Sequence, residues 1–429
     1  MTVTVIGLGK IGLPLAVQFA RKGEQVLGVD INPQTVNLVN AGSEPFPGES
    51  LLKEYLKAEV SHGKLRASTI TIDCVSKSEV VVVAVPLYVD VEGNPDFSAL
   101  DSATQEIAQG LKKGTLISYE TTLPVGVTRK RFARMIEEIS QLKTGIDFHV
   151  VFSPERVLTG RVFEDLRKYP KILGGVTSEC AQKGFEFYKR VLDFDLRVDL
   201  HKSNGVWIME SAESAELVKL AETTYRDVNI ALANQFAKYA SKISVDINEV
   251  IHASNSQIYS HIHRPGISVG GHCIPIYPQF YLWNDPNASL VREARNINSS
   301  MPAYCVSKIQ EQIGELKDKS LLILGATYRP GVKETAFSGI FQLYEILLSL
   351  GAEVQVHDFL LTDSELEALN LFPINSLEEV EIAIIHHDDV RYIEFLKNRE
   401  LLPSLKYIFD GRNIFTSGEN VQGVTIISL

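Results

Sequence analysis

The segment Gly7-Leu8-Gly9-Lys10-Ile11-Gly12 constrains this chain more than any other stretch. It follows a β-rich run, TVTVI, and opens an amphipathic stretch from Leu13 to Lys22, the context in which a glycine-rich turn carries information. Gly7 permits the tight turn, Gly9 lets the backbone approach a pyrophosphate, and Gly12 lets the helix pack on the sheet. The helix N-terminus adds amide donors and positive potential. A second β-rich run, QVLGVD, ends on Asp30, whose carboxylate can accept hydrogen bonds from the adenosine ribose hydroxyls. That carboxylate repels a 2′-phosphate, and Ile31-Asn32-Pro33 offers no arginine to receive one, so the expected cofactor is NAD rather than NADP. The plainer alternative is a glycine turn that binds nothing or binds FAD, and the flanking strand and helix patterns weigh against it.

The runs VVVVAVP and TLISYETT continue the strand-helix alternation, which implies a parallel sheet with helices on both faces. From Asn204 to Ser241 no Pro occurs and no Gly follows Gly205, while Leu217, Leu220, Ala221, Tyr225, Val228, Ala231 and Leu232 recur at helical spacing. A long helix is expected there, as a spacer between domains and a subunit contact; burial inside one subunit gives the same pattern. SLLILGA, EVQVHD, IAIIHH and YIFDG restart the alternation near Lys319. The expected fold is therefore α/β: two Rossmann-like parallel-sheet domains, residues 1–203 and 317–429, joined by a helical middle domain, residues 204–316, with a long central helix. Trp207 and Trp283 fit packing roles.

A length of 429 residues with 45% apolar content suits two or three globular domains. No basic stretch followed by an apolar run opens the chain, and the longest apolar blocks, such as Val80–Val85, are strand-sized. No secretory signal or membrane span is expected, and the cytoplasm is the expected location. A formal charge of −11 without a Lys/Arg-rich run argues against a nucleic-acid partner, so an anionic ligand needs a local pocket. Cys74, Cys180, Cys273 and Cys305 are widely spaced with no Cys-x-x-Cys pair, which points to neither disulfides nor a bound metal.

One of these cysteines stands apart. Gly270-Gly271-His272-Cys273-Ile274-Pro275 places a thiol after two glycines and before a proline, away from any apolar periodicity. Such a loop can bring backbone amides and a sulfur to a ligand without side-chain obstruction. Only the thiolate attacks, so a nucleophilic role needs a neighbour that stabilises negative charge. His272 is adjacent, but sequence neighbours often point apart, and it is not assigned as a base. A buried structural cysteine in a turn is the alternative for Cys273 and the expectation for Cys74, Cys180 and Cys305.

Taken together, the motifs resemble the UDP-glucose and UDP-N-acetylmannosamine 6-dehydrogenase family over nearly the whole chain. They are VIGLGKIGLPLA at the start, TTLPVGVT at Thr121–Thr128, SPERVLTGR at Ser153–Arg161, ELVKLAETTYRDVNIALANQFA at Glu216–Ala237, VGGHCIP at Val269–Pro275, GATYRPGVKET at Gly325–Thr335 and FDGRN at Phe409–Asn413. The resemblance implies an NAD-binding domain, a helical middle domain that forms a homodimer, and a C-terminal UDP-binding domain. It implies a four-electron oxidation of a UDP-sugar consuming two NAD, in which Cys273 forms a thiohemiacetal and then a thioester that water hydrolyses. It further implies an oxyanion-stabilising role for Lys219, a water-positioning role for Thr122, and a place near the reacting carbon for Glu155, which would assist hydrolysis. Lys10, Ile11, Pro86 and Thr122 join the glycines and Asp30 as expected cofactor contacts. Gly270, Tyr277, Tyr328 and Lys333 are expected around the substrate.

Departures from the family pattern accompany these matches. Thr223 stands where the family commonly has an asparagine, Tyr277 where it has an aspartate, and Ala336-Phe337 where it has arginine-glutamate. Threonine can replace one donor-acceptor of asparagine, and a tyrosine hydroxyl donates where a carboxylate only accepts. The wording GGHCIP, ERVLTGR and YRDVNIALANQ is closer to the branch that oxidises UDP-N-acetylhexosamines, with UDP-N-acetyl-D-mannosamine favoured over UDP-N-acetyl-D-glucosamine. Arg156 is then the candidate for the acetamido carbonyl and Arg264 for sugar hydroxyls. The competing readings are a UDP-glucose 6-dehydrogenase, a single-step hydroxy-acid dehydrogenase without a nucleophilic thiol, and a catalytically silent regulator that binds NAD or a nucleotide sugar.

Overall fold

In the computed structural model, β1 (Thr2–Ile6) is flanked in parallel by β2 (Gln25–Val29) on one side and β4 (Val80–Val83) on the other. The structure describes residues 1–90, 92–415 and 419–429, which divide into two compact units. One comprises Met1–Glu222 with Gln279–Asp285; the other comprises Thr223–Pro278 with Pro286–Leu429.

The first unit holds β1, β2, β3 (Leu65–Ser68) and β4, a short antiparallel hairpin of β5 (Tyr88–Val89) and β6 (Pro95–Asp96), then β7 (Leu116–Tyr119), β8 (His149–Phe152), β9 (Lys171–Gly175) and β10 (Val206–Met209). Its main sheet runs β10-β9-β8-β7-β4-β1-β2-β3. Without the hairpin, the first six strands take the 3-2-1-4-5-6 order of a dinucleotide-binding fold, and the chain reverses direction across the sheet between β1 and β4. Every residue of β4, β7 and β8 is buried, as parallel strands covered on both faces require. β9 enters antiparallel to β8, and β10 runs parallel to β9.

The helix expected from Asn204 starts later. Val206-Trp207-Ile208-Met209 forms β10 along the open edge of β9, and the long helix spans Ala212–Lys242. A β-branched and aromatic run gains a ladder of backbone hydrogen bonds there that the start of a helix cannot offer. The sheet therefore extends past residue 203, and the division between the two units falls within the long helix. Trp207 donates its indole N–H to the Ser203 carbonyl at 2.9 Å, and Trp283 packs edge-on against Phe97. Cys74, Cys180 and Cys305 are buried in helices.

The second unit carries a wholly parallel sheet of β11 (Ser320–Leu324), β12 (Glu353–His357), β13 (Ile382–Ile385), β14 (Tyr407–Asp410) and β15 (Thr425–Ser428), in the order β12-β11-β13-β14-β15. This is the second α/β domain expected near Lys319. Alternate β11 residues feed opposite cores: Leu321 and Ile323 pack with Ile340, Leu343 and Leu347, whereas Leu322 and Leu324 pack with Tyr392 and Leu396. Among the described residues no helix is long and apolar enough to cross a membrane.

Asp358, just after β12, accepts from the Ala326 and Thr327 amides and the Thr327 hydroxyl, each at 2.8 Å. The loop leaving β11 is held by this one buried carboxylate. Asp358→Ala leaves those donors without it, and we expect a loss of about 2–4 kcal/mol in urea unfolding.

Candidate active site

Two of the three fingerprint glycines are dictated by packing. A Cβ on Gly12 would lie 1.8 Å from the Gly7 carbonyl oxygen, and one on Gly7, whose φ is +90°, would lie 2.8 Å from the Ala84 oxygen. At Gly9 a Cβ would meet nothing within 4 Å. The open position thus leaves room for a pyrophosphate at the backbone, and no side chain caps the helix Gly12–Arg21 that follows. Asp30 accepts from the Leu8 and Asn32 amides, each at 2.9 Å, so it braces the glycine turn from the end of β2. Lys10 and Ile11 are half-buried in the turn, Pro86 is exposed beyond β4, and Thr122 is buried beyond β7. These residues fit a dinucleotide without a 2′-phosphate.

The same edge of the first unit gathers the charged residues. β7 and β8 end there, and the antiparallel β9 begins there, so Lys171 at its first position meets the residues that follow its neighbours. Its buried ammonium donates to Glu120 at 2.5 Å and to Glu155, and reaches the Ser153 carbonyl at 3.3 Å. Tyr188 donates its hydroxyl to the other Glu120 oxygen at 2.5 Å. Burial pushes Glu120 well above the usual carboxylate range, against the pull of Lys171. Burial also works to raise Glu155, but the Lys171 cation, aided by Glu120 and Lys219, overcomes it and holds Glu155 low. One ammonium serves two buried carboxylates, and the two are pushed in opposite directions. Lys219, buried on the long helix, donates to the Glu155 main-chain oxygen at 2.6 Å. Arg156 is engaged within the unit, with Glu222 at 2.5 Å and the Pro170 carbonyl at 3.2 Å.

The second unit positions the cysteine loop. Asn229 and Asn234 of the long helix accept from the His263 and Gly266 amides, each at 2.9 Å. Arg295 forms a buried pair with Asp227 at 2.7 Å and donates to the Pro275 carbonyl at 3.2 Å. The Ile267 amide donates to Gly411, and a Cβ on Gly266 would strike the Arg412 guanidinium. Cys273 is exposed, and its carbonyl accepts from the Tyr277 amide at 3.0 Å where the next helix begins. The two glycines before it have a reason the sequence does not show: a Cβ on Gly270 would lie 2.9 Å from Tyr328 Cβ, and one on Gly271 3.0 Å from the Tyr328 ring. The Tyr328 of the GATYRPGVKET segment thus lies against the cysteine loop. His272 turns towards Glu334, 3.7 Å away, and stacks edge-on with Phe337. Arg264 is exposed, Thr223 is buried, and Lys333 pairs with Glu365 at 2.5 Å.

Family models match three consecutive stretches: the NAD binding domain of the UDP-glucose/GDP-mannose dehydrogenase family over residues 1–192, its central domain over 213–300 and its UDP binding domain over 322–417. A UDP-N-acetyl-D-mannosamine dehydrogenase of Pyrococcus horikoshii is 34% identical over 96% of both chains. The chain belongs to the UDP-glucose/GDP-mannose dehydrogenase family. The Escherichia coli K12 UDP-N-acetyl-D-mannosamine dehydrogenase is 32% identical over 81% of this chain and 82% of its own. Among solved structures, the P. horikoshii UDP-D-ManNAc dehydrogenase superposes with a TM-score of 0.88 at 31% identity, covering 100% of this chain and 99% of the other. The Staphylococcus aureus UDP-N-acetyl-mannosamine dehydrogenase gives 0.83 at 31%, covering 100% and 98%. As a member of this family the protein is an NAD-dependent oxidoreductase of nucleotide sugars.

Within this dehydrogenase, Glu155 and Lys219, which the motifs single out separately, lie in contact, whereas Glu120, Lys171 and Glu216 are not singled out by the sequence. A lysine opening KILGG looks like a solvated strand end, and only the antiparallel entry of β9 buries it. Glu216 accepts from the Gly126 amide at 2.5 Å, the Thr128 amide at 2.9 Å and the Thr128 hydroxyl at 2.6 Å, tying the TTLPVGVT loop to the long helix one turn before Lys219. Burial raises this carboxyl to about 7, against those hydrogen bonds. The folded state then binds a proton that the unfolded state releases between its ordinary value of 4.5 and about 7. Stability from this group is therefore complete below the unfolded value and falls as pH rises through that window, by on the order of 3 kcal/mol. Glu216→Gln should flatten the decline in unfolding free energy between those pH values, as chemical denaturation at each pH will read.

Proposed function

We propose that this dehydrogenase oxidises UDP-N-acetyl-D-mannosamine at C6 to the uronic acid, with Cys273 as covalent nucleophile. One observation carries the reading: of the four cysteines, Cys273 alone is exposed, on a loop pinned from both of its flanks. The relatives named for UDP-N-acetyl-D-mannosamine, and the matching motif wording, favour that sugar. The glycine turn and Asp30 would hold NAD, which would supply the hydride acceptor for each of the two oxidations.

The protein's own groups supply the rest. The Cys273 thiolate adds to the C6 aldehyde, keeping a reactive intermediate attached until the second oxidation makes the thioester. Lys219, a buried cation, stabilises the oxyanion, and Thr122 orients the water. Glu155, held ionised, takes a proton from that water. Thr223 and Tyr277 replace the asparagine and aspartate of the family pattern as hydrogen-bonding neighbours. Tyr328 and Lys333, which follow β11, are assigned to the UDP moiety, and Arg156 and Arg264 to the sugar. The loops beyond β11 and β13 lie where strand order reverses, the place at which such sheets receive ligands.

Tyr225, Leu232, Phe236 and Tyr239 form one exposed apolar stripe on the long helix, with exposures of 53%, 44%, 39% and 62%. This supports a homodimer formed through that helix, since a stripe of that size on a soluble chain signals a partner. The cytoplasm, which holds the pools of NAD and nucleotide sugars, is the proposed location.

Incubation with NAD and UDP-N-acetyl-D-mannosamine, UDP-N-acetyl-D-glucosamine or UDP-glucose should yield two NADH per molecule of the first sugar consumed, followed at 340 nm. Cys273→Ser should abolish acid formation; turnover that survives it means a single-step dehydrogenase, and NAD binding without turnover of any sugar means a silent regulator. Sedimentation velocity should show a dimer that Leu232→Glu with Tyr239→Glu converts to a monomer.

A further inference from the structure

The buried Glu120–Lys171–Glu155 cluster is unaccounted for by binding of cofactor or sugar. An ammonium enclosed with two carboxylates at one sheet edge is costly to desolvate, and replacement by apolar side chains is often neutral or stabilising elsewhere. Lys171 is 4% exposed, Glu120 fully buried and Glu155 7% exposed at their side chains. The groups facing Glu155 come from every element around it: Lys171 from β9, Glu120 from the end of β7, Tyr188 from the helix Ser178–Val191, and Lys219 from the long helix.

We infer that Lys171 is a positioning residue for thioester hydrolysis: its buried ammonium, enclosed between Glu120 and Glu155 and donating to both, aims the Glu155 carboxylate as the base. This rests on the assignment of Glu155 to hydrolysis made above. In that step the water oxygen bonds to the thioester carbon, the carbon–sulfur bond breaks, and the electron pair leaves on the Cys273 sulfur. One water proton goes to Glu155; the other is released as the new acid ionises. Without a cation at position 171, Glu155 competes for protons at higher pH, so it is neutral where the reaction needs a base. Lys219 donates to the main-chain oxygen of Glu155 and adds to the pull on its carboxylate, whereas Lys171 donates to the carboxylate itself.

The test compares Glu155→Gln, Lys171→Met and Lys171→Arg in the full-length protein with NAD and UDP-N-acetyl-D-mannosamine. Glu155→Gln should release a burst of two NADH per active subunit and then turn over about 100-fold or more slowly, with an acyl adduct on the Cys273 peptide in the mass spectrum. Lys171→Met should show the same burst and adduct, and its acid limb of kcat should move up by about 1–3 pH units with little change in KM. Lys171→Arg should return the limb towards the wild-type position. If Lys171→Met does not fold, Glu120→Gln with Lys171→Met, which strands one carboxylate fewer, should give the same raised limb. An adduct in Glu155→Gln but an unmoved limb or no adduct in the position-171 variant overturns this inference alone. Absence of the adduct in Glu155→Gln overturns the assignment of Glu155 and this inference with it.

Discussion

Parallel pairing is the constraint on which both units rest. Strands that run the same way need crossovers, the crossovers cover both faces of the sheet, and the loops at the carboxyl edge are left for ligands. In the first unit that edge carries the glycine turn after β1, Asp30 after β2, Thr122 after β7 and Glu155 after β8. In the second it carries Tyr328 after β11 and the successive residues His386 and His387 after β13. In each unit a carboxylate that follows the second strand accepts backbone amides of the loop after the first: Asp30 for Leu8, and Asp358 for Ala326 and Thr327. The same solution recurs because both loops leave a central strand with amides that no neighbouring strand can pair.

Charge inside the first unit follows from a single break in the parallel rule. β9 runs against β8, so its first residue, rather than its last, reaches the functional edge. Lys171 is thereby enclosed between carboxylates that arrive from two other strands. Burial raises Glu120 while the shared ammonium holds Glu155 low, so two chemically identical groups are pushed in opposite directions. Glu216 obeys the same balance with a different outcome, since its partners are amides and a hydroxyl rather than a cation, and burial prevails.

The cysteine loop illustrates how motifs distant in sequence serve one purpose. Asp227, Asn229 and Asn234 lie within the YRDVNIALAN segment and hold the chain between His263 and Pro275, directly or through Arg295. Gly411 and Arg412 of the FDGRN segment meet the same loop at Ile267 and Gly266, and Tyr328 packs on Gly270 and Gly271. In the role proposed for Cys273, a thiol on a loop fixed in this way gains, because a preset geometry removes part of the entropic barrier.

The strand-helix alternation, the glycine spacing and Asp30 were legible because each is local: period, turn chemistry and the residue that ends a strand are written in consecutive positions. The ordered motifs likewise singled out Cys273, Lys219 and Glu155. Val206–Met209 was not legible as a strand, since its structure depends on an open edge of β9 rather than on its own propensity. Nor were Glu120, Lys171 and Glu216, whose burial and partners come from elements far apart in sequence. By itself the sequence determined the nature of the two sheets and set Cys273 apart from the other cysteines, because those depend on near neighbours. Only the tertiary structure decided that one ammonium lies between two buried carboxylates, because that depends on which charges the strand order encloses together.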